Sequence, residues 1–269
     1  MTLVFTFEAG VQWFEAYQAA KQHNRAIIGA SSQGVGAAGG WLAGGGHSIL
    51  APNYGLGTPN SPVRIKSYSP VVFTGVDNVL EIAIVTADGD HVIANPYRNQ
   101  DLFWALRGGG GGTWGVVTSA TYKTHPSKPL SLAFLSVNST NANSTQNLLA
   151  EIIRLTPSFV EQGYGGCSGI VASQFQLFLL SPNATAEQTQ ATFLPLFEFA
   201  ASQPGLSVEN STVVYQDLWS WYETVFVNGE LVGAPAEISS WLLPEDIFQT
   251  GKPEDLAAEL LKITSDFGY

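Results

Sequence analysis

Apolar side chains recur along this chain with two periods, and the change of period outlines the expected elements. Residues 3–7 alternate as a short strand, and Trp13, Tyr17 and Ala20 then fall on one face of a helix over 11–23. Residues 26–29 read as a second short strand. Leu80, Ile82, Ile84 and Val92 alternate about Ala87-Asp-Gly-Asp90, whose Asp-Gly suits a type I′ turn, so 79–94 predicts a hairpin. Asn99 or Asp101 is expected to cap a helix over 102–107 that Gly108 stops. Residues 114–123 are rich in strand formers, and His125-Pro126 follows as a loop.

Past 126–129 strands and helices alternate. A strand over 131–137 precedes a helix over 145–162, with Leu148, Leu149, Ile152, Ile153 and Leu155 on its apolar face and a bend at Pro157. A strand over 170–180 comes next, then a helix to about residue 202 that opens on the capping box of Thr185 and Gln188. Strands over 206–215 and 237–243 flank an aromatic helix over 218–227, and a helix over 254–265 comes last. Trp219, Trp221 and Tyr222 read as core, with a glycan-binding surface as the competing use. These elements predict an α+β fold.

One stretch fits neither period. Between Gly29 and Gly57 glycine dominates, interrupted by Trp41, Leu42, Ile49, Leu50, Tyr54 and Leu56, which favour burial. No acid occurs between Glu15 and Asp77, and a second glycine run, Gly108 to Gly112, lies in another acid-free window from Leu102 to Ala150. The whole chain carries 22 acids against 11 Lys and Arg, so two glycine loops stripped of carboxylates suit an anionic ligand held by backbone N–H groups. Gly34-Val-Gly-Ala-Ala-Gly39 spells G-x-G-x-x-G, yet the ribose-binding acid about twenty residues on is missing, so a Rossmann site is not expected. No Gly-Lys-Ser/Thr follows either run, which excludes a P-loop.

Charge divides the chain. Residues 1–128 hold 8 basic and 7 acidic groups, residues 129–269 hold 3 and 15, and a nucleic-acid partner is therefore not expected. No apolar run reaches membrane-spanning length. Cys167 is the only cysteine, which rules out an internal disulfide. Sequons begin at Asn138, Asn143, Asn183 and Asn210, and this excess leans toward a secreted glycoprotein. Residues 1–8 lack a basic n-region, so a signal peptide is expected to lie outside this chain.

Several motifs together resemble the vanillyl-alcohol oxidase type of FAD-linked oxidoreductase, with its PCMH-type FAD domain, and within it the fungal berberine-bridge-like oxidases. They are Ala9-Gly-Val-Gln-Trp-Phe-Glu-Ala-Tyr-Gln-Ala-Ala20, Ala38-Gly-Gly-Trp-Leu-Ala-Gly-Gly-Gly-His-Ser48, Tyr54-Gly-Leu-Gly57, Val76-Asp-Asn-Val-Leu80 and Val85-Thr-Ala-Asp-Gly89. The most specific is Asp101-Leu-Phe-Trp-Ala-Leu-Arg-Gly-Gly-Gly-Gly-Gly-Thr-Trp-Gly-Val-Val-Thr118. The resemblance implies part of an FAD-binding domain over 1–127 and an incomplete substrate domain over 128–269, with a mostly antiparallel sheet flanked by helices. It also implies that Gly39, Gly40, Gly44, Gly45, Gly46 and His47 line the flavin, and that Gly115, Val116 and Val117 pass beside its ring. Asp77 and Asn78 would secure a turn, and Tyr54 would pack.

The chain departs from that pattern in several places. It has no Arg-x-Gly-Gly-His element and no cysteine near Ser32 or Gln33, the family's points of covalent flavin attachment. Residues 58–75 form an insert, expected to be a translated intron, and the family's C-terminal segment has no counterpart. The resemblance therefore implies an FAD-dependent oxidoreductase that takes a hydride from an alcohol, a carbohydrate or a secondary metabolite. The alternative is a truncated, inactive relative or a glycoprotein domain without FAD. No catalytic base or metal site is expected from these residues, and the oligomeric state stays open.

Overall fold

The computed structural model describes residues 3–54, 75–171, 173–226, 243, 246–249 and 253–266. Residues 55–57 of the Tyr54 motif, the suspected insert except Gly75, and the expected strand over 237–243 except Leu243 lie outside them. Contacts divide the described chain into two compact units, and the fold is α+β as expected. Residues 3–54, 75–128 and 216–226 make the first unit, and 129–215 with the described residues from 243 onward make the second.

In the first unit β1 (Val4–Glu8) leads into α1 (Trp13–Gln22). The Glu15 carboxylate accepts from the Gln12 N–H at 2.9 Å and satisfies a donor that the helix start leaves open. Trp13, Ala16, Tyr17 and Ala20 form the buried face at spacings of three and four. Trp13 is wholly buried, with the Trp41 and Tyr122 rings edge-on at 4.8 and 5.6 Å. A Cβ on Gly29 would overlap the Trp13 ring, so this glycine is there to admit an indole. The second expected strand shrinks to β2 (Arg25–Ala26), because only these two residues find a partner.

Two four-residue helices, α2 (Gly40–Ala43) and α3 (Ala51–Tyr54), punctuate the glycine-rich stretch. β3 (Val79–Val85) and β4 (His91–Ala94) form the expected hairpin. Its connection spans Thr86–Asp90, closed by Thr86 N–H to Asp90 O and Gly89 N–H to Thr86 O, both 3.0 Å, and so is longer than a two-residue type I′ turn. α4 (Gln100–Leu106) begins two residues before the expected start, and Asn99, at the N-cap position, does not cap it with its side chain. Asn99 sits in the left-handed region at φ +50°, and its amide donates to Ile93 O at 2.8 Å instead. β5 (Val116–Lys123) is an inner strand of the sheet β1-β5-β3-β4, antiparallel throughout. His125, expected in a loop, belongs to β6 (His125–Pro126), which pairs with β2 and buries the imidazole.

The second unit is a sheet with helices on one face. β7 (Leu130–Ser139) is followed by α5 (Ala142–Glu161), whose start lies three residues before the apolar pattern because Asn141 Oδ1 accepts from the N–H groups of Asn143 and Ser144 at 3.0 and 3.3 Å. The single strand expected over 170–180 is a hairpin of β8 (Gly165–Val171) and β9 (Gln174–Pro182). α6 (Ala186–Ser202) opens on the expected capping box: Thr185 Oγ1 accepts from Gln188 N–H at 3.2 Å, and Gln188 Oε1 accepts from Thr185 N–H at 2.9 Å. β10 (Leu206–Tyr215) completes the antiparallel order β10-β7-β9-β8.

The core of this unit interleaves Leu135, Val137, Phe175 and Leu177 from the sheet with Leu148, Ile152, Phe193 and Leu196 from the helices. α7 (Leu218–Phe226) belongs to the first unit, where Tyr222 meets Tyr17 at 4.6 Å and Trp219 meets Phe14 at 5.5 Å. Trp219, Trp221 and Tyr222 are all buried, which removes the glycan-binding use. α8 (Asp246–Gln249) and α9 (Pro253–Asp266) return to the second unit, where Ala257 is wholly buried.

Candidate functional site

The two glycine runs, far apart in sequence, meet in the first unit. Gly110 N–H donates to Ala43 O at 2.9 Å, the Gly108 Cβ position lies 3.7 Å from Gly45 Cα, and that of Gly111 lies 3.7 Å from Gly40 Cα. These are ordinary van der Waals separations, so the two loops pack backbone against backbone. Gly39 and Gly44 flank α2, and Gly45 and Gly46 follow at φ +100° and +72°. The Gly46 Cβ position lies 2.8 Å from the Trp41 ring, so this turn closes over that indole.

His47 is exposed, and its carbonyl accepts from Trp41 Nε1 at 3.0 Å. Gly115 holds φ +139° where any side chain would strike Val85 O, and it introduces β5. Val116 then stands opposite Val85 and is 70% exposed, and Val117 stands opposite Ile84. The structure thus brings Gly40, Gly45 and their neighbours against the 108–112 run.

Arg107 was not foreseen. It ends α4 immediately before the glycine run, with its guanidinium carbon 4.4 Å from the Phe103 ring centre. Its Nε is buried and finds no hydrogen-bond partner among the described residues. A buried donor on a cation is costly unless something accepts from it, and a phosphate oxygen would. The signal was present in the sequence: Arg107 is the only basic residue between Arg98 and Lys123, and it stands in an acid-free window. An unpartnered guanidinium donor beside two apposed glycine loops fits an anionic dinucleotide such as FAD.

Asp77 and Asn78 lie in the 3-10 turn Gly75–Asn78 that precedes β3. Asn78 Oδ1 accepts from His125 Nε2 at 2.8 Å, and the Tyr54 ring lies 4.4 Å from the imidazole. Burial, with Lys123, Arg25 and Lys128 nearby, lowers the His125 pKa to about 4, so the ring is neutral near pH 7. Burial pushes the Tyr54 phenol up to about 12. All three side chains therefore serve packing and turn geometry at neutral pH. Cys167 is half-buried, and burial raises its thiol pKa. Among the described residues no group of His, Cys, Asp and Glu is arranged to hold a metal, and no helix is long and apolar enough to cross a membrane.

The chain is 31% identical over 246 residues to the FAD-linked oxidoreductase ffsJ of Aspergillus flavipes, matching 91% of this chain and 36% of that protein. It is 34% identical over 245 residues to the FAD-linked oxidoreductase phmC of Phaeosphaeria nodorum, 89% of this chain and 49% of the other. The VAO-type flavoprotein MtVAO615 of Myceliophthora thermophila C1 superposes with a TM-score of 0.79 at 27% identity, over 97% of this chain and 45% of that one. The chain belongs to the VAO-type FAD-linked oxidoreductases. The xylooligosaccharide oxidase of the same fungus, solved with xylobiose, shares the fold at a TM-score of 0.63 and 22% identity, over 85% of this chain and 43% of that one. No family model matches the chain. It spans between about a third and a half of the length of these FAD-linked relatives, whose names carry the cofactor that the glycine loops and Arg107 fit.

Proposed function

We propose that the first unit holds FAD and that the chain serves the oxidation of a substrate C–H bond in an alcohol, a carbohydrate or a secondary metabolite. The observation that carries this reading is the apposition of two carboxylate-free glycine loops beside the unpartnered Arg107 Nε. Arg107 and the amides of the 108–112 run would hold the negatively charged pyrophosphate. The family resemblance assigns the flavin's surroundings to Gly39, Gly40, Gly44, Gly45, Gly46 and His47, with Gly115, Val116 and Val117 beside the ring. Bound FAD supplies a hydride acceptor that is reoxidised by O₂ or another acceptor. The exposed Val116 offers an apolar contact from which water is excluded when a planar group lies on it.

In this reading the first unit, α7 included, contributes the FAD-binding part and the second unit part of a substrate domain. The berberine-bridge-like branch is favoured by the Asp101–Thr118 motif. Carbohydrate is one arm of the substrate proposal because a structural neighbour was solved with xylobiose. The four sequons favour a secreted glycoprotein.

The test is direct. The purified chain should be yellow or should take up added FAD with quenching of flavin fluorescence, and Arg107→Leu should weaken uptake at least tenfold. Anaerobic bleaching of the bound flavin by a panel of sugars and alcohols would then identify the substrate class. A correctly folded chain that takes up no FAD would sink the proposal. It would favour the second reading, a family segment without cofactor, which the 36% and 49% coverage of its relatives keeps in play.

A further inference from the structure

On the second unit, the end of α5, the end of β9 and the start of α6 enclose an open groove of about 490 Å³. Its volume falls within the range of about 300–1,000 Å³ that accommodates small organic ligands. Gln162, Tyr164, Pro182, Asn183, Gln188 and Thr192 are among its lining residues. Asn183 also opens the sequon Asn183-Ala-Thr185. One residue thus joins a modification motif to a cavity.

Local geometry favours this sequon over the other three. Asn183 is exposed on the turn from β9 to α6 at φ +70°, and its N–H donates to Pro129 O at 3.1 Å, which fixes the turn. Its side-chain amide bonds to no described residue. Asn138, by contrast, lies in the inner strand β7 between Ser207 and Gln174, Asn210 lies within β10 opposite Leu135, and Asn143 lies in the first turn of α5. None of these three lines the groove.

We propose that Asn183 carries an N-linked glycan whose first N-acetylglucosamine lies in this groove. In the transfer, the Asn183 side-chain nitrogen displaces the pyrophosphate of a lipid-linked oligosaccharide at the sugar's anomeric carbon. A C–N bond forms, the C–O bond to pyrophosphate breaks, and the amide loses one proton. The groove offers the sugar matched chemistry. Gln188 Oε1 accepts from Thr185 N–H at 2.9 Å, which orients its amide at the groove, while Thr192 Oγ1 is held in the wall by donating to Gln162 Oε1 at 2.9 Å, the Gln162 amide nitrogen itself donating to Ser158. Tyr164 is fixed behind it by its hydroxyl bond to Thr189 at 2.8 Å, and the exposed Ala191 supplies an apolar contact for the ring's C–H face.

The inference rests on the secretory reading above, and the test separates the two. The full chain, with Asn138, Asn143 and Asn210 each changed to Gln, is secreted from a yeast behind that host's leader and trimmed with endoglycosidase H, which leaves one sugar on any occupied asparagine. Peptide mass spectrometry should find that sugar on Asn183. The trimmed protein should melt about 2–4 °C above the same sequence made without glycosylation in bacteria, and Thr192→Ala should abolish the difference. A bare Asn183 in the secreted protein overturns the inference alone, and so does an occupied Asn183 with identical melting in both forms. Absence of the native protein from its own host's secretory fraction overturns the secretory reading and this inference together.

Discussion

The two units bury their cores by different means. In the second, aliphatic and phenylalanine side chains from one helix face and one sheet face interdigitate, and Phe193 stacks on Phe159 at 4.4 Å with Tyr164 edge-on at 4.9 Å. In the first, indole and phenol rings stand against glycines, with Trp13 over Gly29 and Trp41 over Gly46 and Gly75. A periodic core leaves its signature in the sequence, whereas a ring packed on a missing side chain leaves only a glycine. Glycines in the first unit therefore have two settings: some admit a core ring, and others lie in the loops that meet near Arg107, where we propose that FAD binds.

The comparison can be broken by substitution, and the largest effect is expected in the periodic core. Phe193→Ala, at a wholly buried site with three aromatic neighbours, should cost about 3–5 kcal/mol in urea unfolding. Gly29→Ala should cost about 3 kcal/mol, because its methyl must displace the Trp13 ring, and should shift tryptophan fluorescence. Gly169→Ala, with open space at its Cβ in β8, is the control and should stay within about 0.5 kcal/mol. If both glycine variants behave alike, the ring-on-glycine account of the first unit fails.

His125 sharpens the contrast through pH. Its folded pKa of about 4 lies below the unfolded value near 6.5, so between these values the unfolded chain binds the proton first. Stability from the neutral ring is complete above about pH 6.5 and is lost as the pH falls to about 4. The shift corresponds to about 3 kcal/mol, which solvent screening trims to about 2. His125→Gln should flatten unfolding free energy against pH over that window. Apart from the Gly169 control, the smallest effect is expected at Thr185→Ala, where loss of the capping box should cost about 1 kcal/mol in thermal unfolding and leave FAD uptake unchanged.

Much of the architecture was legible in the sequence because burial follows a period. The helix face of Trp13, Tyr17 and Ala20, the capping box at Thr185, and the strand over 206–215 appear where the pattern puts them. β8 was not legible: Gly165-Gly-Cys-Ser-Gly169 has no branched side chain, and its strand identity comes from pairing with β9. Asn99 shows the opposite failure, a residue with cap chemistry whose amide is taken by Ile93 O. For the candidate site, composition pointed to both glycine runs and to an anion. Their mutual contact and the unpartnered Nε of Arg107 are tertiary facts with no period to announce them.

The antiparallel pairing of β1 with β5 bears on how the protein is made. Thr6 meets Thr121 only 115 residues later, and Gln33 reaches Phe226 across 193. At about 5–20 residues per second a ribosome needs roughly 6–23 s to deliver the first of those partners. Through that interval Trp13 travels without the ring of Tyr122 that will later enclose it, so the apolar face of α1 leaves the exit tunnel uncovered.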